Sequence, residues 1–443
     1  TAVLDATTVT IGRCGGTVAL ASGASQTGFG RTGTVNWNTT IKTSDFTATS
    51  GSGFFVDTSS GAVTVTLPAS PSAGDIVSIA DYAGTSATNK ISIARNGSNI
   101  EGTAANSALS DNRAAVTLIF ADSTQGWIPV NDNADSSLDP SFVAATGGTV
   151  TTVCTNFKVH TFTGPGTFCV SNAGNSIGSN TVSYVVVAGG GSGGGSEGGG
   201  GGGAGGYRES ESPTCSYTQS PVAASGGLPV SVQGYPITVG GGGAIGSPAN
   251  AKGVSGSNSI FSTITSTGGG GGGASCNPGT ADKCGQTGGS GGGGGETRGA
   301  PDNQGSGGAG NTPSVSPPQG NNGGPGSPQS GNPAGAGGGG GIGAVGQTGP
   351  SSGGGCGGCG VASSITGSSV GRAGGGGGGV FGPAPKGSDQ SGSGGAEGGR
   401  GSPQDNADSA AANKGGGGGG SGKSCVSGGA GGSGIVIIRY KFQ

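Results

Sequence analysis

The stretch "NTVSYVVVAGGG" (Asn180–Gly191) decides the fold. Val182 to Ala188 reads as a strand, and it runs straight into glycine. The mirror image closes the chain. "GIVIIRYKF" (Gly434–Phe442) passes from glycine into a clean apolar strand. If these two strands pair, the chain leaves and returns to one place, and everything between them is a closed domain. A flexible linker has no use for such brackets.

Composition points the same way. Of 443 residues, 113 are glycine, 30% are hydrophobic and 9% are charged. Ordinary soluble domains are about 45–50% apolar and about 25% charged, so an enzyme with several close-packed cores is excluded. Residues 1–187 hold 21 glycines and the remaining 92 follow Val187, which marks a domain boundary. Runs of four or more occupy 198–203, 240–243, 268–273, 291–295, 337–341, 374–379 and 415–420. Three readings compete for them. A Gly/Ser linker fits composition alone. Collagen needs glycine at every third position, and these continuous runs lack that period. The third is a bundle of polyglycine II helices, with three residues per turn and amides pointing outwards. Glycine loses more freedom on ordering than any other residue. One such helix does not offset that loss, whereas many packed side by side gain lateral hydrogen bonds.

Ahead of the boundary the pattern is β. Ala62–Pro68, Asp75–Tyr82, Lys90–Gly97 and Ala114–Asp122 alternate apolar and polar residues, separated by turn signals such as Asn96-Gly97. A small all-β sandwich or barrel is expected, with essentially no α-helix anywhere and with Trp37, Phe46, Phe54, Phe55, Phe120 and Trp127 mostly in its core. The divisions expected are an N-terminal segment 1–34, a β-domain 35–131, a polar linker 132–156 and a glycine-rich domain 157–443. The last is opened by a hairpin around Gly164-Pro165-Gly166 and closed by strand 434–442.

Little points to chemistry. The net charge of −3 leaves no basic footprint for nucleic acid and no polybasic membrane patch. No apolar run reaches the roughly 18 residues of a membrane-spanning helix. The opening "TAVLDATTVTIG" has neither the basic nor the apolar region of a signal peptide. The sole histidine, His160, reads as a strand residue; three copies on a trimer axis are the metal-binding alternative. "GGGGSGKS" (Gly417–Ser424) matches a phosphate-loop string, but no amphipathic helix follows, and chance matches are expected in such a sequence. Asp57, Asp75, Asp81 and Asp111 are available as carboxylate pairs, and nothing selects them. No catalytic residue, metal or cofactor is expected.

Nine cysteines are present. "CGGC" (Cys356–Cys359) has metal-type spacing but lacks a second knuckle. Disulfides stapling loops are the preferred reading. The candidates are Cys154 with Cys169, Cys276 with Cys284, and, without an assigned partner, Cys356 and Cys359; the odd count leaves one cysteine, Cys14 by its distance from the rest, unpaired or paired between chains.

Two stretches carry a family resemblance. Residues 35–131, from "VNWNTTIKTSDF" to "GWIPV", resemble a β-domain of tail-fibre and related virion proteins of marine bacteriophages. "YVVVAGGGSGGG", "GYPITVGGGGAIGS", "KGVSGSNSIFSTITSTGGGGGG" and "GGSGIVIIRY" resemble the glycine-rich tips of phage tail fibres and their adhesins. The resemblance implies polyglycine II helices in a rigid body, distal loops that contact a host receptor, and a homotrimer. Long Pro-rich inserts such as 299–336 depart from the simplest form. The loops' candidate contacts are Tyr207, Arg208, Glu209, Tyr217, Tyr235, Phe381, Lys386 and Asp389. The expected role is non-enzymatic attachment by an extracellular virion fibre. Its partners would be other virion proteins at the N-terminus and a host polysaccharide or outer-membrane protein at the tip. A bacterial filament or coat subunit is the alternative, and an ice-binding protein the weaker one.

Overall fold

The computed structural model describes residues 35–130, 140–175, 178–246, 251–275, 280–296, 304–327, 334–382, 384–388, 407–422 and 426–443. The chain divides into two compact units, Thr1–Asp139 and Pro140–Gln443.

The front unit holds β1 (Asn36–Lys42), β2 (Phe46–Thr47), β3 (Ser52–Val56), β4 (Val63–Thr66), β5 (Ile76–Asp81), β6 (Ile91–Ala94), β7 (Ser107–Leu109), β8 (Ala115–Asp122) and β9 (Gly126–Pro129). The four alternating stretches became β4, β5, β6 and β8. Two sheets, ordered β1-β3-β5-β8-β9 and β2-β4-β6-β7, enclose a core that includes Phe54, Val65, Ile79, Ile93, Leu118 and Trp127. The sandwich is wound in an unexpected way. From β1 to β6 the chain alternates between the sheets, so β1, β3 and β5 run parallel, as do β2, β4 and β6. Trp37 is not core. It is 40% exposed on the edge strand, lies over Gly53 and stacks on Phe55 at 4.7 Å.

The second unit begins inside the expected linker. β10 (Val143–Thr146) and β11 (Thr149–Val153) flank a tight Gly147-Gly148 turn within 132–156; residues 131–139 lie outside the described residues. The β-branched run "TVTTV" favours a strand over a linker. β12 (Phe157–Phe162) and β13 (Gly166–Ala173) do not pair as a hairpin. β12 lies between β11 and the closing strand, while β13 joins β10 in the other sheet. The Gly-Pro-Gly turn crosses the sandwich edge instead, which lets Phe162 and Phe168 enter one core from opposite sheets.

β14 (Thr181–Val187), β15 (Tyr207–Glu211), β16 (Ala224–Ser225), β17 (Leu228–Pro229), β18 (Gly234–Thr238), β19 (Ser259–Phe261) and β20 (Ile264–Ser266) follow. α1 (Thr280–Lys283) is a single helical turn. β21 (Ala334–Gly335), β22 (Val361–Ser363), β23 (Val370–Arg372), β24 (Val380–Phe381) and β25 (Ile435–Lys441) complete the set. The bracketing strands do pair. β14 and β25 are antiparallel, from Val187↔Ile435 to Ser183↔Arg439. They are buried on both faces. Tyr184 and Val186 face the sheet β10-β13-β18-β19-β20, and Val185 and Val187 face a second core with Ile342, Val361 and Ile365.

Beyond β14 the glycine runs form a hydrogen-bonded lattice. Gly189, Ser192 and Gly195 donate to Ser257, Val254 and Ala251; Gly190, Gly193 and Ser196 to Gly432, Gly429 and Val426; Gly191 and Gly194 to Gly203 and Gly200. Every third residue addresses the same neighbour, which is the signature of a threefold helix. The segment 198–206 has six neighbours. It donates to 415–421, 267–273 and 337–340, and accepts from 191–194, 290–296 and 376–379. These bonds assemble layers. A central layer holds 240–246, 188–196, 198–206, 334–342 and 344–350. On one side lie 251–257, 267–274, 290–296 and 321–327, and on the other 426–434, 415–422, 372–380 and 354–360. The Pro-rich insert is therefore not only loop. It supplies 305–311 and 321–327 to the bundle, the first outside the second layer.

Candidate functional site

The bundle has two unlike ends. At the near end, Val187 and Ile435 connect it to the sheets. At the far end the chain turns back at Ser196–Gly198. Ala251, Val426 and Glu296 hydrogen-bond to Gly195, Ser196 and Gly198, so they share that end, and Ser327 meets Gly335 there. Gly379 and Ser421 are tied to Gly199, and Lys386 follows shortly after. Charged residues outside the lattice gather at this end. Lys252 and Lys386 are exposed and Glu197 is half-buried. Both signs are present on a frame of backbone.

The expected contact residues divide sharply. Phe381 lies in β24, half-buried, and Lys386 is exposed beside it; Asp389 lies outside the described residues. The others sit at the sheet end and are not a distal contact surface. Tyr207 is 1% exposed, Glu209 3% and Tyr235 7%. Period-two alternation explains Tyr235, which joins Phe168 and Phe261 on the inner face of its sheet. Arg208 and Tyr217 are half-buried on and beside β15.

Tyr207 and Glu209 instead form an internal polar centre. The Tyr207 hydroxyl donates to Glu209 Oε2 at 2.8 Å, as does the Ser220 amide at 3.0 Å. The Ser363 hydroxyl donates to Glu209 Oε1 at 2.6 Å. Burial, reinforced by the Glu209 charge, pushes the Tyr207 phenol far up. Burial lowers the nearby Arg372 guanidinium, and the Glu209 carboxylate opposes that. Arg439 of β25 lies over Phe157 at 4.5 Å and Tyr217 at 5.3 Å, and donates to the carbonyls of Ile365 and Ser216 at 3.3 Å. This centre fastens the 212–223 loop and the β22–β23 hairpin to the sheet. It has no open face for a ligand. Beside it, a cleft of about 230 Å³ is bordered by Glu211, Pro213, Ser216 and Ser225.

The cysteine expectations are corrected. Cys154 and Cys169 are exposed thiols with no disulfide between them. Cys154 sits in the β11–β12 turn and Cys169 on the outer side of the other sheet, and packed sheets lie about 10 Å apart. Cys356 is not joined to Cys359. Three residues of a polyglycine II helix rise about 9.3 Å, and a disulfide spans at most about 7 Å between Cα atoms. Cys276, Cys14 and Cys425 lie outside the described residues. Cys215, which the sequence did not single out, is a buried thiol pushed up by burial.

No group of three or more His, Cys, Asp or Glu residues among the described residues is arranged to hold a metal. Asp75 and Asp81 hold turns: Asp75 accepts from Ser50 and Ser72, and Asp81 from Gly84, Ser86 and Arg113. No described helix is long and apolar enough to cross a membrane.

No curated protein matches the chain. A family model described as a glycine-rich domain matches residues 163–441, from just after β12 to the last residue of β25. That span covers more than half of the sequence and takes in the bundle and the sheet strands from β13 to β25, so this chain belongs to the glycine-rich domain family.

Proposed function

We propose that this chain is a fibre component of a phage virion, and that it attaches to the host cell through the far end of its glycine bundle. One observation supports this most strongly. At the end opposite the sheets, where the chain turns back at Ser196–Gly198, the bundle exposes Lys252 and Lys386 on a body held by main-chain bonds. A frame of that kind fixes its turns in place, so little order is lost when they meet a surface. Host polysaccharide or an outer-membrane protein is the expected receptor, and weak contacts multiplied over a homotrimer would supply avidity. The bundle takes no catalytic part in this reading.

The test is adsorption of the labelled full chain to a panel of candidate host bacteria. Reversing Lys252 and Lys386 to Glu is expected to reduce adsorption at least about tenfold, because several chains act together. Substitutions on the front unit leave it unchanged. Equal adsorption by the reversed variant would contradict the far-end assignment. A monomeric mass in native buffer would remove the trimer.

A further inference from the structure

His160 is the chain's only histidine and is fully buried. Its Nδ1 lies 2.7 Å from the carbonyl oxygen of Gly147, in the β10–β11 turn. A carbonyl only accepts, so Nδ1 carries the proton of the neutral ring. Nε2 is then an acceptor, and the Tyr440 hydroxyl, 3.0 Å away on β25, donates to it. That hydroxyl oxygen in turn accepts the Ala145 amide of β10 at 3.2 Å. The ring stacks on Tyr440 and meets the edge of Phe168. One imidazole thus links the β10–β11 corner, where the chain crosses from one sheet to the other, to the strand that closes the domain.

We propose that His160 is an acid-sensitive latch on the corner where β10 passes into β11, closed when the ring is neutral and released when it is protonated. A proton added at Nε2 sets N–H against the Tyr440 O–H. The hydroxyl then has to turn towards the Ala145 carbonyl, which is 3.5 Å away. No carboxylate among the described residues shares this network. β10 and β11 contribute no acidic or basic side chain, Phe168 of β13 is apolar, and Tyr440 is neutral. Lys158 on β12 adds a repelling charge. On β25, Arg439 engages Phe157 and Tyr217, and Lys441 lies over Phe142. Burial already holds the ring below its ordinary value, against the opposing bond to Gly147. β11 is the element free to yield. β11 is an edge strand exposed along almost its whole length, whereas β25 is held on both sides.

Amide exchange of the full chain at pH 7.5 and pH 5, corrected for intrinsic rates, tests this. Opening exposes an imidazole of ordinary pKa, about 6.5, so the opened form gains up to ~30-fold at pH 5. Amides in 149–153 are expected to lose protection on that order, while those of β14 hold theirs. His160→Gln should abolish the difference between the two pH values. If that variant fails to fold, the unaltered chain decides through the NMR signal of its one imidazole, which should protonate together with the opening of β11. Protection that persists at pH 5, a ring that protonates without opening, or an equal acid response in His160→Gln would each overturn the latch.

Discussion

At Gly201 a methyl group has nowhere to go. A Cβ there would collide with the carbonyl oxygen of Gly376, and one at Gly293 with that of Gly337. These are rigid main-chain atoms. At Gly241, on the outer flank, a Cβ meets nothing within 4 Å. Gly201→Ala is therefore expected to destabilise the second unit by at least about 1–3 kcal/mol, the scale of overpacking. Gly241→Ala should be neutral or stabilising by up to about 1 kcal/mol, since alanine orders at lower entropic loss where the backbone permits it. Urea unfolding of the three proteins checks both. The buried Glu209 makes a second prediction. Glu209→Ala removes three hydrogen bonds and leaves their buried donors unpaired at about 1–3 kcal/mol each, so a loss of at least about 3 kcal/mol is expected by the same measurement. That role was not legible beforehand. "YRESES" is short, polar and flanked by loop residues, so Tyr207 and Glu209 resemble surface side chains until β14 and the β22–β23 hairpin are placed around them.

Strands that end at glycine were legible, and so was their pairing. The apolar runs of β14 and β25 can be buried on both faces only in the middle of a sheet. β10 and β11 were missed because they are short, threonine-rich and set beside polar residues. The partners of the glycine helices could not be read at all. Each glycine is chemically identical to the next, so no side chain specifies a neighbour. Order in the lattice is left to the length and chemistry of the connections. The front unit offers a prediction at this scale. Burial raises the Asp81 carboxyl, but the bonds from Arg113, Ser86 and Gly84 outweigh it, and the net shift is downward. Its stabilisation is therefore complete above the ordinary carboxylate pKa of about 3.9 and fades as pH falls through the lower folded value. Asp81→Asn should cost about 1–3 kcal/mol at pH 7, and progressively less below pH 4. Chemical denaturation of the unit across that range reads the difference.

As a whole, the molecule joins two solutions to one problem. The front unit excludes water with valine, isoleucine and aromatic side chains. The second unit does so with two apolar cores at the sheets and, beyond them, with backbone alone. Because the units are compact separately, two unfolding transitions are expected in calorimetry, and Gly201→Ala should lower only one of them. The account depends most on the lattice interior. Amide exchange resolved to Gly199–Gly206 measures it directly. These amides should exchange as slowly as those of β14, and far more slowly than those of the outer segment 240–246. Exchange of 199–206 at the rate of an unstructured chain would contradict the claim that main chain forms the solid interior of this domain.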